Sequence, residues 1–362
     1  MTYTCRSCAG PPCRVPRPPP TRRDATPSYA DPVDPVTLDA LDRRLLHALQ
    51  LDGRAPFSRI AGVLDTSDRT VARRFERLRA AGAVRVSAVP HSRTTGHAEW
   101  LVRMRVVPHG AADLARTLAR RSDTGWVTVL SSGTGIACLF RVPDLGPAPL
   151  AELSRHPHVS EVSAQQVLRH LMDDSWAGRT SALTAQQVAA LRQPDAGGTA
   201  PIPLTDLDRR LLPALAADGR AACAELARRV DWSESAVRRR LESLRRDRVL
   251  RFQVEVEPAL FGFSAQCVLW LSVSPSMLAA VAADLAADPA TAYLGATTGS
   301  HNLFAVAVCR NPDALYSYVT DRVGSSAGVE RVETGVVSSY TKRFAPVPAG
   351  PGRRGGYANP AI

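Results

Sequence analysis

The feature that most constrains this chain is that it repeats itself. The run Leu38-Asp39-Ala40-Leu41-Asp42-Arg43-Arg44-Leu45-Leu46 returns 166 positions later as Leu204-Thr205-Asp206-Leu207-Asp208-Arg209-Arg210-Leu211-Leu212. Asp52-Gly53-Arg54-Ala55 then meets Asp218-Gly219-Arg220-Ala221, and Val71, Arg73, Arg74 and Leu78 meet Val237, Arg239, Arg240 and Leu244. Gly96 meets Gly262, and Gly133 meets Gly299. One register held over such a span marks a tandem duplication, so whatever unit one copy encodes, the chain holds two. At 362 residues and 45% apolar content, two to four compact domains can each bury a core.

Breaker residues divide the chain. Residues 1–36 are rich in Pro and Arg and are expected to be a disordered leader. Residues 173–203 read as a linker, with Pro194, Gly197, Gly198, Pro201 and Pro203 as breakers and a short helix over 183–191. Residues 345–362 read as a mobile tail.

The first third of each copy, 37–90 and 204–256, reads as a winged helix-turn-helix. Leu38, Leu41, Leu45, Leu46 and Leu49 recur at helical spacing, and Asp52-Gly53 ends that helix, with the glycine expected in the left-handed conformation. A second helix is expected over 57–64. Ser67 then caps a third that runs to Ala80, with Val71, Phe75 and Leu78 inward. Val84 to Val89 alternates like a strand and supplies the wing. Copy two repeats the plan, with Ser233 as the cap and Val237, Leu241 and Leu244 inward.

The third helix carries the chemistry. Arg69, Arg73, Arg74 and Arg77 in copy one, and Arg238, Arg239, Arg240, Arg245 and Arg246 in copy two, lie off the apolar stripe. An exposed guanidinium fork pairs with phosphate or with a guanine edge. An Arg-rich face is often simply solvated, but the same face twice, behind a Ser cap each time, points to double-stranded DNA. Base contacts are expected from Ser67, Arg69, Thr70 and Arg73, and from Ser233, Ser235, Ala236 and Arg239. Arg74, Arg77, Arg240 and Arg246 are expected on phosphates, with Arg238 also on the DNA side. Ala236 stands where copy one has Thr70, so the half-sites need not match. The net charge of +11 agrees with an anionic partner but decides little by itself.

The remainder of each copy, 96–172 and 262–344, reads β-α-β-β-α-β, a ferredoxin-like sensor and assembly domain. The fold class is therefore α+β. In copy one the middle strands flank Ser131-Ser132-Gly133-Thr134-Gly135, and in copy two they flank Gly299-Ser300.

In this order the residues resemble the Lrp/AsnC, or feast-or-famine, transcription regulators. The resemblance rests on L-x-x-L-D-R-R-L-L, on D-G-R, on the helix from Thr70 (T-V-x-R-R-F-x-R-L), on Gly96 and Gly262, and on the glycine turn between the middle strands. It covers nearly all of 38–343. It implies pairing through the sheet of the second domain, homo-oligomers, and a small effector such as an amino acid bound between sensor domains. The positions it marks for the effector are Gly133, Thr134, Gly135, Gly299, Ser300 and His301. Family members often carry an acidic residue directly after the turn glycine. Here Thr134 follows Gly133, and Ser300-His301-Asn302 follows Gly299, so a carboxylate for an effector's ammonium is missing.

The rival reading is an enzyme, because some tandem proteins resembling this family decarboxylate haem precursors with His and Arg in the sensor cleft. His91, His97, His109, His301, Arg103 and Arg105 are available for that, but no His recurs at matching positions. No nucleophile triad, P-loop or H-E-x-x-H motif appears, so no catalytic residues and no cofactor are expected. Cys5, Cys8 and Cys13 lack a fourth ligand nearby, so no metal is expected either. No apolar run reaches the length of a membrane span and no signal-peptide core is present, which gives a cytoplasmic location and no membrane partner as the expectation.

Overall fold

The computed structural model describes residues 37–90, 95–143, 150–172, 182–192, 203–247 and 249–343. The expected leader, the tail, most of the linker and the cysteines at 5, 8 and 13 lie outside them. Copy one begins with α1 (Ala40–Leu51), α2 (Phe57–Leu64) and α3 (Asp68–Ala80). Asp39 and Asp42 form a capping box on α1, and the Ser67 hydroxyl accepts from the Thr70 N–H at the start of α3. Gly82, with φ of 70°, turns the chain into β1 (Val84–Pro90). The sensor half follows as β2 (His97–Val106), α4 (Pro108–Arg120), β3 (Thr124–Leu130), β4 (Gly135–Pro143), α5 (Leu150–Ser154) and β5 (Val159–His170).

The segment between the copies is more than a spacer. Its helix α6 (Ala185–Leu191) docks on the first head, with Leu191 fully buried in that core. The Gln187 amide donates to the Val63 carbonyl at 2.9 Å and Arg59 donates to the Ala190 carbonyl at 2.7 Å, so α6 is anchored at both ends.

Copy two gives α7 (Asp206–Ala217), α8 (Cys223–Val230), α9 (Glu234–Arg246) and β6 (Leu250–Val256). Then come β7 (Ala265–Val273), α10 (Leu278–Ala287), β8 (Thr291–Thr297), β9 (Leu303–Cys309), α11 (Pro312–Ser317), which runs on as a π-helical turn to Val323, and β10 (Val329–Arg343). The wing of each head is a single strand, and its partner comes from the other head. β1 pairs antiparallel with β6, and Ser87 faces Gln253, its own counterpart in the repeat. A local twofold axis therefore passes between the heads at that pair. The cores interlock accordingly: Val254, Val256 and Phe261 complete the first head's core, and Ala88 joins the second's.

The sensor halves also merge. Each forms a four-stranded ferredoxin-like sheet, β3-β4-β2-β5 and β8-β9-β7-β10. Two further antiparallel pairings, β5 with β8 and β10 with β3, close all eight strands into one barrel. Closure gives every strand two hydrogen-bonded neighbours and leaves no edge in this sheet. The faces turned inward bury Leu101, Trp126, Leu139, Val268, Trp270 and Phe304 together, while α4 and α10 cover separate outer cores.

Strand pairing also corrects the repeat register. Arg103 pairs with Ala137 and Ser163, and Trp270 with Phe304 and Glu333, so Arg103 and Trp270 hold equivalent positions 167 residues apart. One residue is gained after Gly262, which pairs Gly299 with Ser132 rather than with Gly133. Both have positive φ, 91° at Gly299 and 56° at Ser132.

Candidate nucleic-acid interface and effector seams

α3 and α9 are held against the first helices of their heads by buried carboxylates. Asp42 and Asp208 are fully buried. Arg240 grips Asp208 bidentately at 2.7 and 2.6 Å, and the same carboxylate accepts the Thr205 N–H at 2.7 Å. In copy one Arg74 bonds Asp39 at 2.5 Å and Asp42 at 2.9 Å, and Arg77 also pairs with Asp42. This corrects the expectation that Arg74, Arg77 and Arg240 serve phosphates. The guanidiniums of Arg74 and Arg240 are turned inward because a buried carboxylate needs a paired charge, while Arg77, 49% exposed, spends one edge on Asp42. Burial alone would raise the Asp208 pKa, but the hydrogen bonds from Arg240 and Thr205 hold it below the usual carboxylate value.

A group with a depressed folded pKa stabilises the protein above its unfolded pKa, and that contribution is lost as pH falls through the folded value. Asp208→Asn is therefore expected to cost about 3 kcal/mol at neutral pH by leaving Arg240 without its charge partner. It should also flatten the loss of stability below about pH 4. Thermal melts of both proteins across that range check this, and parallel acid limbs would contradict it.

What remains on the outer face is smaller and cleaner. Arg69, Arg73, Arg239 and Arg246 are exposed, and no described carboxylate pairs with their guanidiniums. Arg238 is exposed but pairs with Glu234 at 2.5 Å one turn before it. Ser67, Arg69, Thr70, Ala72, Arg73 and Glu76 line one open depression along α3. Ser233 caps α9 through the Ala236 N–H, and Ser235 stands exposed in the first turn.

The D-G-R segments prove to be a clamp between the heads. Arg54 donates to the carbonyls of Gly219 at 2.5 Å and Ala221 at 2.8 Å, and Arg220 donates to those of Gly53 at 2.7 Å and Ala55 at 2.9 Å. Arg245 meets Asp52 at 3.0 Å, and its counterpart Arg79 meets Asp218 at 3.0 Å. Arg245, expected outside, is thus an interface residue. Arg220 also lies over the Phe57 ring at 4.2 Å, and its burial pulls its pKa down to about 10, still charged at neutral pH. Gly53 and Gly219 are not left-handed. A Cβ there would sit 3.0 Å from Phe252 Cβ in one case and from the Ser87 backbone in the other, so glycine suits the close approach of the heads. No local sequence signal announces such a contact, although the repetition of D-G-R was a hint.

The expected effector turns fall at the two seams of the barrel. At the first, Ser131, Ser132 and Gly133 all have positive φ, and the Ser132 N–H donates to the Ser338 hydroxyl of β10 at 2.8 Å. Thr134 closes the turn back onto Ser131, and Gly135 opens β4. At the second seam, Gln165 of β5 donates to the His301 carbonyl at 2.9 Å, and the Thr298 N–H donates to the Gln166 carbonyl at 2.9 Å. Ser300 lends its carbonyl to the Ser272 hydroxyl at 2.7 Å. His301 faces Glu333 at 3.3 Å, which also binds Arg103 at 2.6 Å and Arg331 at 3.2 Å, and Arg103 lies on the Trp270 face at 4.1 Å. The Arg103 hydrogen bond holds Glu333 below the usual carboxylate value. Sequence reading missed Gln165 and Ser338, because each reaches its seam from the other copy, and it missed Glu333 and Trp270, because what marks them is their contact with Arg103 of the other copy. The histidines singled out from the sequence do not share one cleft. His97 opens β2, His109 follows its far end and meets His158 edge-on beside His156, His301 sits at the second seam, and His91 lies outside the described residues. No group of three His, Cys, Asp or Glu suited to a metal occurs among the described residues.

Two helix-turn-helix heads on a fused pair of ferredoxin-like halves define the architecture of a two-headed transcription regulator. The comparisons agree. The AsnC-type helix-turn-helix domain matches residues 38–79 and 204–245, and the Lrp/AsnC ligand binding domain matches 266–347. An HTH-type transcriptional regulator of Pyrococcus furiosus, itself uncharacterized, is 30% identical over 140 residues, which is 38% of this chain and 95% of that protein. The HTH-type transcriptional regulator FL11 of Pyrococcus horikoshii is 26% identical over 148 residues, 41% of this chain and 97% of that protein. These relatives correspond in length to one copy. The siroheme decarboxylase NirDL shares the fold over 84% of this chain and 93% of its own, with a TM-score of 0.56 and 16% identity. The chain belongs to the Lrp/AsnC family and is a DNA-binding transcription regulator of that type. No helix among the described residues is long and apolar enough to cross a membrane.

Proposed function

We propose that one chain does what two single-copy subunits would do, acting in the cytoplasm: its two heads engage two inverted half-sites on duplex DNA, and its barrel seams take a small effector. The observation that carries the DNA contact is that Arg73 and Arg239 occupy equivalent exposed positions on the outer faces of α3 and α9, with no described carboxylate to neutralise them. Arg69 and Arg246 extend that face, Ser67 and Ser233 present capped helix N-termini to phosphate, and Thr70, Ser235 and Arg238 flank the base-reading line. Titrating the full chain into labelled duplex at stepped salt tests this. Binding that weakens as salt rises is expected, and no binding even at low salt refutes it.

The effector reading rests on the strained turn at Ser131-Ser132 and on the bonds that tie Ser132 and His301 across the seams. A molecule held there alters the fit between the copies, which is how it would act on the heads. A panel of amino acids and related metabolites in a thermal-shift assay should include at least one that raises the melting temperature. At about 100 times its Kd a ligand adds about 2.7 kcal/mol, a shift of several degrees. A panel without effect argues for a regulator without such an effector. Further association of chains is also proposed, with exposed Leu168 and Val336 on the seam strands as apolar contacts.

A further inference from the structure

The two reading helices are locked to each other yet show different chemistry to solvent. At about 100° per residue, the line opposite the buried Val71, Phe75 and Leu78 runs through Arg69, Arg73 and Ala80. The line opposite Val237, Leu241 and Leu244 runs through Ser235, Arg239 and Arg246. Guanidiniums thus sit in the first two turns of α3 but in the second and last turns of α9. Beside that line, Thr70 becomes Ala236, which removes a hydroxyl, and Ala72 becomes Arg238, which adds a fork. The turn before the helix differs as well. Thr66 is half-buried in the first head, whereas Trp232 in the second is 40% exposed, with the Arg210 guanidinium 5.6 Å from its ring centre.

We propose that this chain reads a non-palindromic operator in one fixed orientation, as two inverted half-sites that differ where Arg69 and Ser235, Thr70 and Ala236, Ala72 and Arg238, and Ala80 and Arg246 meet DNA. The inference rests on the DNA-binding reading above. The inversion follows from the backbone. Ser87 opposite Gln253 and the reciprocal Arg54 and Arg220 bonds impose a local twofold between the heads. Two identical subunits around such an axis repeat every contact and so favour a palindrome. Here the axis is kept by the backbone and broken by side chains, and the covalent order of the heads prevents the two from exchanging. A bound chain therefore points one way along the duplex.

The test is selection by the full chain from a pool of duplexes with a randomised core, followed by affinity measurements on the selected site and on the two palindromes built from its halves. Two dissimilar inverted halves are expected, with each palindrome bound about 5- to 150-fold more weakly than the selected site, as befits one or more altered base contacts. A palindromic consensus, or palindromes bound as tightly, overturns the inference and leaves DNA binding standing. Absence of any binding to the pool removes both. The quintuple variant Trp232→Thr, Ser235→Arg, Ala236→Thr, Arg238→Ala, Arg246→Ala gives the second head the first head's turn and outer line without touching Val237, Leu241 or Leu244. It should select a palindrome, and persistence of the asymmetric site would equally overturn the assignment.

Discussion

Replacing Arg73 and Arg239 together with alanine is expected to weaken binding to duplex DNA by about two orders of magnitude and to leave the melting temperature unchanged. Each exposed guanidinium that reaches a base edge or phosphate contributes about 1–3 kcal/mol. The plot of log affinity against log salt should become shallower by about 0.9 for each phosphate that the variant no longer neutralises. Neither side chain has a described carboxylate partner, so folding should not register the change. The neighbouring pair Arg74 and Arg240 gives the opposite pattern. Removing them strips buried Asp208 of Arg240 and leaves buried Asp42 with Arg77 alone, so stability falls first. Equal affinities for wild type and the Arg73, Arg239 variant would mean that the heads meet DNA with another face.

The second large effect is on the joint between the heads. Arg220→Ala leaves the Gly53 and Ala55 carbonyls without their donors and removes the cation from the Phe57 ring. Each orphaned acceptor costs about 1–3 kcal/mol, so a loss of about 4 kcal/mol is expected. Arg220→Lys should recover little, because a single ammonium cannot span two carbonyls as the fork does. Urea unfolding of the full chain checks both variants, and a loss below about 1 kcal/mol would show that β1 and β6 hold the heads together unaided. The variant should also tolerate changes in half-site spacing better than wild type, since the clamp fixes the distance between α3 and α9.

The sequence-derived helices of the heads and their Ser67 and Ser233 caps need only short-range signals, and these were legible: apolar spacing, a hydroxyl before the first turn, a glycine after the last. The strands of the sensor halves were legible as short apolar, β-rich runs between helical and turn segments. Partners were not. Arg73 and Arg74 are neighbours of one type on one helix, yet one faces solvent and the other Asp42, and only the placement of α1 decides between them. The glycine of D-G-R reads locally as a helix stop, whereas its place is set by Phe252 or Ser87 from the other copy. The effector turns were visible as Gly133 and Gly299, but the residues that tie them down, Ser338 and Gln165, lie on strands of the opposite copy.

By itself, then, the sequence determined the duplication, the order of elements in each copy and the Arg-bearing helices, because periodicity and capping act over a few residues. Only the tertiary structure decided that the wings pair across the heads, that eight strands close into one barrel, and which guanidiniums stay available to DNA. Those outcomes depend on pairings between residues far apart in the chain, such as Arg54 with Gly219 and Arg103 with Glu333, and no local pattern encodes them.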